Sequence, residues 1–421
     1  MTRLTDIAIV GAGVAGLASA TLAARLGYRV TLYERFETPR PIGSGLMLQP
    51  PGLAALGRLG LRSEIESLGH RIDRLHGTSA AGATIFDLAY GDLDPTLYAV
   101  AVHRGALHHV LWTSFTRSGA SLETGRTITA IESRSGGRAA LIDASGRALP
   151  PDSLIIDASG ARSPIRAWVA RRKPRPFSYG AVWATVPDIG IAPGTLAQRY
   201  VDARIMIGYL PVGCLAANGP PLAAFFWSLK PDDHPAWQSG FAAWREQVAA
   251  LWPQLCSVLA AMTYPHDLTL AGYTHFTADR VFRDNVVLIG DAAHATSPQL
   301  GQGANHGLID AVVLADALGQ SPDLASALML YQSKRRRHVR FYQHASAVMT
   351  PFFQSDSVLL AKLRDLTFDR MKVVPYLHRE MLRTLAGLKT GLFTSRSPQA
   401  IADCVGGDRT GTRVAAVRVP E

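Results

Sequence analysis

Residues 5–34 constrain the fold of this chain more than any other stretch. A short apolar run is followed by an Ala-rich stretch, and a second apolar run then ends at Glu34. Between the first run and the Ala-rich stretch lie three glycines with the spacing G-x-G-x-x-G, namely Gly11, Gly13 and Gly16. This order predicts strand, tight turn, helix and strand, in which the glycines let the backbone approach a pyrophosphate. Because an acid ends the second strand, the unit is expected to bind an adenosine with a free 2′-hydroxyl, as in FAD or NAD.

A second glycine-rich stretch lies toward the other end of the chain, at residues 286–311. Four apolar residues lead into Gly290 and Asp291, a loop rich in Gly and Pro follows, and a helix is predicted to begin near Gly303. At the carboxyl end of a strand, Asp291 can accept hydrogen bonds from sugar hydroxyls. The helix start offers unpaired N–H groups to electron-rich atoms. One such turn is equally compatible with an ordinary strand–turn–helix, so the prediction of a ligand depends on its partners.

A third motif lies between these two. Residues 154–157 are apolar up to Asp157, and a turn containing Ser159 leads to Ser163 and to a predicted helix start near Arg166. This is again a strand, a turn and a helix start. Short strands are also predicted on either side of a helix that begins beside Arg104.

The composition is that of a folded protein with more than one domain. The chain has 421 residues, of which 48% are hydrophobic and 18% charged, so a well-buried globular protein is expected. The net charge of +10 comes mostly from scattered arginines. A solvated basic surface explains it better than a nucleic-acid site, because no basic stripe with interleaved aromatics exists, and contact with a membrane surface is the less favoured alternative. The dense cluster Lys334–Arg337 is interpreted as an exposed helix face.

The three cysteines, Cys214, Cys256 and Cys404, are far apart and odd in number. They form neither a metal-ligand spacing nor a disulfide framework, so a reducing cytoplasm is expected and no metal is predicted. The apolar stretch 7–24 imitates a signal sequence, but the glycine motif explains it better. No other stretch is long enough to span a bilayer.

The predicted fold is α/β, with a Rossmann-like domain that binds FAD or another dinucleotide, an inserted and mostly antiparallel β-sheet domain, and a helical C-terminal segment. Aromatic and Pro residues become frequent after residue 171, and this change predicts the sheet domain, with a helical interruption at about 236–262. The C-terminal segment has helical periodicity to about Phe393. The predicted boundaries are 1–75, 101–170 and 280–350 for the dinucleotide-binding domain, 76–100 and 171–279 for the sheet domain, and 351–421 for the C-terminal segment.

In this order and at these separations, the three motifs resemble those of the FAD-dependent aromatic hydroxylases. These are single-component flavoprotein monooxygenases with the para-hydroxybenzoate hydroxylase architecture. The resemblance covers about residues 4–345, and its most discriminating part is Gly290-Asp291-Ala292-Ala293-His294 with the later Pro-x-x-Gly-x-Gly sequence.

The resemblance assigns residues to each part of FAD. The pyrophosphate and adenosine would be held by Gly11, Gly13, Val14, Ala15, Gly16, Glu34 and Arg35, with the backbone of Ile128 beside the adenine. The pyrophosphate and ribityl region would be reached by Arg104 and Asp291, and Asp157 of the middle motif belongs to the same set. The isoalloxazine would be bordered by Gly45, Leu46, Pro298, Gly301, Gln302, Gly303, Ala304 and Asn305. His294 is expected to support the residues of this motif without contacting FAD itself.

One residue departs from the family pattern. The middle motif usually has Asp where this chain has Ser159, and that Asp is implicated in contacts with FAD and NAD(P)H. Similar variants occur in some flavin-dependent halogenases and epoxidases, so a halogenase, or a flavin reductase or epoxidase of the same fold, is an alternative. A protein that sequesters a flavin or another ligand without turnover is a further alternative.

The resemblance implies a monooxygenase that uses NADPH or NADH and O₂ to hydroxylate a small or polycyclic aromatic through a C4a-hydroperoxyflavin. A monomer or homodimer without nucleic-acid partners is expected. His275, Tyr200 and Arg199 are candidates for substrate contacts, although a structural role is the favoured interpretation of each. No residue is assigned as the catalytic base.

Overall fold

The computed structural model describes residues 5–39, 43–134, 138–150 and 153–403. Elements are numbered in chain order. A six-stranded sheet carries the three motifs, and five of its strands run parallel while one edge strand is antiparallel. In spatial order its strands are β17 (Phe282–Arg283), β18 (Val286–Leu288), β11 (Leu154–Asp157), β1 (Asp6–Val10), β2 (Arg29–Tyr33) and β8 (Ser121–Glu123).

Both faces of this sheet are buried, which explains the continuous apolar runs in the sequence. On β1, Ile7 and Ile9 contribute to one hydrophobic core, whereas Ala8 and Val10 contribute to another on the opposite face. The predicted βαβ unit and the helices after the first and last motifs are confirmed. The main helices of this domain are α1 (Val14–Arg25), α4 (Arg104–Thr116) and α10 (Gly303–Gln320).

A seven-stranded sheet forms the second layer, and it is antiparallel except where β13 runs parallel to β5. In spatial order its strands are β16 (Thr269–His275), β12 (Arg175–Pro187), β15 (Leu222–Leu229), β14 (Ile205–Gly213), β13 (Thr195–Val201), β5 (Arg74–Ser79) and β6 (Thr84–Ala89). One face packs on α6 (His234–Ser239), α7 (Phe241–Leu251) and α8 (Cys256–Leu259), as the predicted helical interruption required. The other face shares one hydrophobic core with the first domain.

Smaller elements connect the two sheets. A three-stranded sheet consists of β3 (Gly45–Leu48), β7 (Ala99–His103) and β4 (His70–Ile72). A separate hairpin consists of β9 (Ile128–Arg134) and β10 (Arg138–Asp143). The short helices are α2 (Pro50–Leu59), α3 (Arg62–Leu68), α5 (Arg166–Val169) and α9 (Asp291–His294). Strand β3 docks on the large sheet, because Ser44 donates a hydrogen bond of 2.9 Å to the carbonyl of Ala184.

The C-terminal part is mainly helical, but the prediction of a helix continuing to Phe393 is wrong. Gly387, with φ of +80°, ends the helical path, and a short hairpin follows because Gly391 and β-branched threonines favour a turn between extended segments. The elements are α11 (Leu324–Phe353), α12 (Val358–Met371), α13 (Pro375–Leu385), β19 (Lys389–Gly391), β20 (Thr394–Ser395) and α14 (Pro398–Ala402). The predicted boundary at residue 351 falls inside α11, and residues from 404 onward lie outside the described part of the chain.

Two glycines in the large sheet each lie beneath an aromatic ring. A Cβ on Gly208 would lie 1.8 Å from the ring of Phe226, and one on Gly77 would lie 2.5 Å from the ring of Phe86. We expect Gly208→Ala to displace Phe226 and to lower the free energy of unfolding by about 2 kcal/mol. Gly272→Ala is the matched control, because a Cβ there would meet nothing closer than Pro231 at 3.9 Å. Equal urea-denaturation midpoints for the two variants would contradict this packing.

Candidate functional site

The three glycines of the first turn differ in what surrounds them. Gly11 has φ of +100°, and a Cβ at Gly16 would lie 1.9 Å from the carbonyl oxygen of Gly11. Both positions therefore exclude a side chain because of the protein's own backbone. Gly13 differs, since a Cβ there would find nothing within 4 Å. Of the three, Gly13 is the glycine that leaves open space at the start of α1.

Glu34 lies at the end of β2 beside this turn. Its buried carboxylate accepts hydrogen bonds from the backbone N–H groups of Ala12 (2.8 Å) and Phe36 (3.0 Å). The acid therefore fixes the turn, with remaining lone pairs available to sugar hydroxyls. Arg35 is exposed, and its guanidinium lies 4.7 Å from the centre of the Phe36 ring. Ile128 has its side chain in the core, so only its backbone can face a ligand.

Asp291 begins α9 directly after the last motif strand. Its side chain is exposed and receives no hydrogen bond from the residues that the structure describes, while its carbonyl accepts one from Arg166 (3.2 Å). Crowding by surrounding protein nevertheless raises the pKa of the Asp291 carboxyl, and the nearby His294, Arg104 and Arg166 oppose that effect. Arg104 is also exposed. The structure therefore brings Asp291, Arg104 and Arg166 together around one open carboxylate.

The loop after Asp291 approaches α10 through a turn at Pro298–Leu300, and Gly301 then adopts φ of +60°. Asn305 holds this loop. Its side-chain amide donates to the carbonyls of Met47 (3.0 Å) and Gly301 (2.8 Å), and its Oδ1 accepts from the N–H of Gln49 (2.8 Å). With these contacts, the Asn305 side chain joins the loop to β3 and to the residue that follows it.

The other predicted residues of this region have distinct positions. Gln302 is buried as the N-cap of α10, with an Oε1 that accepts no hydrogen bond from the described residues, and Gly303 and Ala304 are the first residues of the helix. A Cβ built on Gly290 or on Gly307 would lie 3.2 Å from the Cβ of Ala15. Ala15 therefore belongs to the close contact between α1 and α10. The remaining positions are Val14 in the first turn of α1, and Gly45 and Leu46 at the start of β3. A Cβ at Gly45 would lie 2.5 Å from Val212, which shows that close packing on the sheet also requires this glycine.

The middle motif explains the unusual Ser159. Asp157 is fully buried, and one of its oxygens accepts from the hydroxyl (2.5 Å) and N–H (3.0 Å) of Ser159, the other from the hydroxyl of Ser163 (2.5 Å). Burial raises the pKa of the Asp157 carboxyl, and these hydrogen bonds oppose the rise. An Asp at position 159 would put a second carboxylate against the first. Because Asp157 already provides the buried carboxylate, a Ser that donates to it suits position 159 better than a second Asp.

Sequence reasoning missed a buried ionic network that adjoins Gly290 and His294 of the last motif. One oxygen of Asp310 accepts from the N–H of Gly290 (2.8 Å) and pairs with His294 Nε2 (2.6 Å), and the other accepts from Arg335 Nε (2.5 Å). Burial alone would raise the pKa of the Asp310 carboxyl, but His294 and Arg335 hold it well below its usual range. The expected support by His294 is present, whereas the prediction that the whole cluster Lys334–Arg337 is exposed is wrong at Arg335.

Arg335 is buried because α11 packs on α10 at this position. The four-residue basic cluster is too short for helical periodicity to predict which of its residues faces inward. Its guanidinium also donates to His306 Nδ1 (3.0 Å) and His338 Nδ1 (2.9 Å), and His338 Nε2 reaches the carbonyl of Gly387 (2.9 Å). Burial and the Arg335 charge lower the pKa of His338 to about 3, so its imidazole is neutral at pH 7. The network thus runs from the last motif to the C-terminal segment.

The face of the large sheet that points toward the first domain carries a row of aromatic side chains. The rings of Trp183 and Phe226 are 4.6 Å apart, and the indole of Trp183 donates a hydrogen bond of 3.0 Å to the hydroxyl of Tyr273. Thr185, two residues further along the same strand, bonds Ser44 (2.9 Å) beside the docked β3. Trp183 and Tyr273 are partly exposed, and Thr185 on the same face is exposed. Trp183, Phe226 and Tyr273 therefore form an aromatic wall that is accessible at Trp183 and Tyr273.

The three residues suggested from sequence for substrate contacts do not belong to this wall. Arg199 lies over Trp252 and donates to the carbonyl of Leu251 (2.5 Å), on the opposite face of the sheet. Tyr200 is buried against Phe353, and His275 lies on the edge strand β16. Within the described ranges, no group of three His, Cys, Asp or Glu side chains has a metal-binding arrangement. No helix in the same ranges has the length and apolar character that a bilayer crossing requires.

Comparison with known proteins agrees with this geometry. Residues 4–345 match the family model described as the FAD binding domain. The chain is 31% identical over 348 residues to a 3-amino-4-hydroxybenzoate 2-monooxygenase of Streptomyces cremeus, covering 78% of this chain and 82% of that protein. It is 28% identical to a 6-hydroxynicotinate 3-monooxygenase of Bordetella bronchiseptica over 359 residues, covering 81% and 90%. The crystal structure of Klebsiella pneumoniae HpxO complexed with FAD and uric acid superposes with a TM-score of 0.75 at 21% identity, covering 91% and 97%.

The residues present fit FAD. The open space at Gly13, the carboxylate of Glu34 and the unpaired carboxylate of Asp291 offer a phosphate approach and acceptors for two sets of sugar hydroxyls. The α/β fold with its mostly antiparallel second sheet is the predicted one. The chain belongs to the family of FAD-dependent aromatic hydroxylases.

Proposed function

We propose that this protein inserts one oxygen atom of O₂ into the ring of a small, electron-rich aromatic molecule, with NADPH or NADH as the hydride donor. The aromatic wall formed by Trp183, Phe226 and Tyr273 is the observation that carries the proposal. A flat ring stacks on such a wall, and the wall belongs to the sheet face on which β3 docks beside Ser44. The relatives named above act on hydroxylated or aminated aromatic rings, which supports the same substrate class.

FAD, when bound, supplies the redox chemistry and the activation of O₂. The chain's own contribution is to bind, orient and exclude water. Gly13 and the start of α1 would hold the pyrophosphate, Glu34 the adenosine ribose, and Asp291 the ribityl hydroxyls. The N-terminal end of α10, which begins at Gly303, would direct its free N–H groups and positive dipole end toward the ring.

Tyr273 is proposed to orient the substrate. Its hydroxyl accepts from Trp183, and its own proton goes to no acceptor among the described residues. Burial raises the pKa of the Tyr273 phenol to about 12, so the group remains a hydrogen-bond donor at neutral pH. A phenol oxygen or ring carbonyl of the substrate is the matching acceptor.

Tyr273→Phe is expected to raise the KM for the aromatic substrate about tenfold, the equivalent of one hydrogen bond of about 1.4 kcal/mol, while kcat changes less. Trp183→Phe keeps the stacking surface but removes the N–H that holds Tyr273, so a smaller increase is expected. Steady-state oxidation of NAD(P)H at varied substrate concentration measures both. A fall in kcat at constant KM for Tyr273→Phe would contradict a role in binding.

The function is tested by anaerobic mixing of the FAD-loaded protein with NADPH or NADH, with and without phenols and quinolones. Loss of the oxidised flavin absorbance that one nicotinamide drives and an aromatic ligand accelerates is the expected result. Admission of O₂ should then give a product 16 mass units heavier. No bleaching with any combination would refute direct reduction by a nicotinamide, and bleaching without a heavier product would refute hydroxylation.

Three further points belong to the proposal. The assembly is a monomer or a homodimer, which sedimentation velocity measures. The site of action is a reducing cytoplasm, which suits the free thiols of Cys214 and Cys256. The division into an FAD-binding domain, a sheet domain and a C-terminal segment is kept, but the boundaries at 75, 100 and 351 cut β5, β7 and α11 and are moved to the ends of those elements; limited proteolysis tests this division.

A further inference from the structure

The C-terminal segment presents an unusual concentration of exposed apolar side chains. Among the described residues, 14 large hydrophobic side chains are exposed, and nine of them lie between positions 358 and 393. The nine are Val358, Leu359, Leu363, Leu366, Val373, Val374, Tyr376, Leu392 and Phe393. Scattered exposed apolar residues are normal, but a concentration of this kind marks a binding surface.

Helix α12 contributes a regular stripe to this surface. Leu359, Leu363 and Leu366 have the spacing i, i+4, i+7, which puts them on one side of a helix. The opposite side is buried through Ala361 (1% exposed) and Arg364 (0% exposed), whereas Leu359 is 76% exposed. The helix thus carries apolar side chains on its outer side, while only its inner side packs on the protein.

The contacts of Arg364 fix the orientation of α12, so the outer side of this helix faces away from the protein. The guanidinium of Arg364 donates to the carbonyls of Phe352 (2.9 Å) and Asp202 (2.9 Å) and lies 4.8 Å from the ring centre of Tyr200. These contacts fix α12 to the end of α11 and to the turn between β13 and β14. A rotation that would bury the three leucines would have to expose this arginine.

Further exposed apolar side chains lie in the segments that follow α12. Val373, Val374 and Tyr376 follow at the turn into α13. The hairpin tip, with Leu392 and with Phe393 at 79% exposed, lies beside α13, because the ammonium group of Lys389 bonds both the carbonyl of Leu392 and the carboxylate of Glu380. We call the side chains of these three segments the outer surface.

Among the described residues 357–396, the charged side chains without a partner of opposite charge are all positive. The acids of described residues 357–396 each have a cationic partner, namely Arg364 for Asp365, Lys372 for Asp369, and Arg383 and Lys389 for Glu380. Lys362, Arg370 and Arg379 are exposed and have no carboxylate partner within the described ranges. Arg370 follows Leu366 by four residues and so extends the leucine stripe.

We propose that the outer surface binds the headgroup and upper acyl region of an anionic phospholipid bilayer. Leucine, valine and aromatic side chains would enter the interface, and Lys362, Arg370 and Arg379 would contact lipid phosphates. The protein would lie on the membrane without crossing it. This revises the sequence-based preference for a purely solvated basic surface, because periodicity alone did not reveal that the outer leucines are exposed.

A bilayer suits this surface better than a second copy of the chain. A two-fold interface would bring the same surface onto itself and would set the unpaired cations of one copy against those of the other. Anionic lipids neutralise them instead. The apolar residues also come from a helix, a turn and a hairpin tip, and a fluid interface accommodates such an irregular outline without shape complementarity.

The test is co-sedimentation of the FAD-loaded protein with vesicles, in the absence of any nicotinamide so that turnover plays no part. Phosphatidylcholine vesicles with 30 mol% phosphatidylglycerol are compared with pure phosphatidylcholine at about 50 and 300 mM NaCl. The bound fraction is expected to be high only with the anionic vesicles at low salt. The triple variant Leu359→Gln/Leu363→Gln/Leu366→Gln should lower vesicle affinity at least tenfold, and Lys362→Gln/Arg370→Gln should lower it severalfold and weaken the salt dependence.

The matched control is Leu26→Gln/Leu215→Gln/Met329→Gln, which removes the same number of exposed apolar side chains elsewhere and should bind vesicles like the unaltered protein. FAD content and melting temperature show that each variant is folded. Equal binding of both triple variants would overturn the proposal, as would no binding to anionic vesicles at low salt. A dimer that Leu359→Gln/Leu363→Gln/Leu366→Gln alone converts to a monomer would identify the outer surface as a self-association face instead.

Discussion

Asp310→Asn is expected to lower the free energy of unfolding by about 3–5 kcal/mol and to yield protein purified largely without FAD. The carboxylate is fully buried and is shared by Arg335, His294 and the N–H of Gly290. Removing its charge leaves the buried guanidinium of Arg335 without a counterion and frees the backbone beside Asp291. Urea denaturation and the absorbance ratio of flavin to protein measure the two effects.

Two controls separate the network from a general loss of charge. Asp369→Asn removes a carboxylate that pairs with Lys372 on the surface of α12, and its effect should stay below about 0.5 kcal/mol. The double variant Asp310→Asn/Arg335→Gln should be less destabilised than the sum of its single variants, because each single change already breaks the same ion pair. Additive losses would show that Asp310 and Arg335 act independently.

Gly16→Ala and Gly13→Ala are expected to fail for different reasons. At Gly16 a Cβ would lie 1.9 Å from the carbonyl of Gly11, so α1 must shift. We expect the free energy of unfolding to fall by about 3 kcal/mol and FAD binding to be lost as well. At Gly13 there is open space, so stability should change by less than about 1 kcal/mol. FAD affinity should still fall by about a hundredfold, because the Cβ occupies the phosphate approach.

Denaturation of the apoprotein distinguishes these two cases from each other, and fluorescence titration with FAD measures the affinity. Gly57→Ala serves as the control, since this glycine is exposed in α2 with nothing within 4 Å of its Cβ position, and Ala should raise stability slightly. Unchanged FAD affinity in Gly13→Ala would mean that the pyrophosphate does not pass over the glycine turn.

The sequence carried the predictions that depend on local order. Strand, turn and helix around Gly11 and around Gly290 follow one another within a few residues, so spacing alone predicts them. The position of Glu34 follows in the same way. Assigning these residues to FAD depended further on the resemblance, and the individual contacts with FAD remain predictions.

Features that depend on contacts between distant segments could not be predicted. Arg335 resembles its neighbours in the basic cluster, and only the packing of α11 on α10 reveals that it faces Asp310. The same limit applies to Asn305, whose partners Met47 and Gln49 lie more than 250 residues earlier in the chain. The aromatic wall was present in the sequence only as a rise in aromatic content, without the register that unites Trp183 with Phe226.

The pairing of β5 with β13 has a consequence for how the protein folds. Arg74 pairs with Thr195 in one sheet, and Ile155 pairs with Val286 in the other. Each sheet therefore contains neighbouring strands that are more than a hundred residues apart in the chain. Neither sheet can be completed from an N-terminal stretch during synthesis, because the two are interleaved along the chain. Slow refolding and a need for protection of the nascent chain follow from such non-local topology.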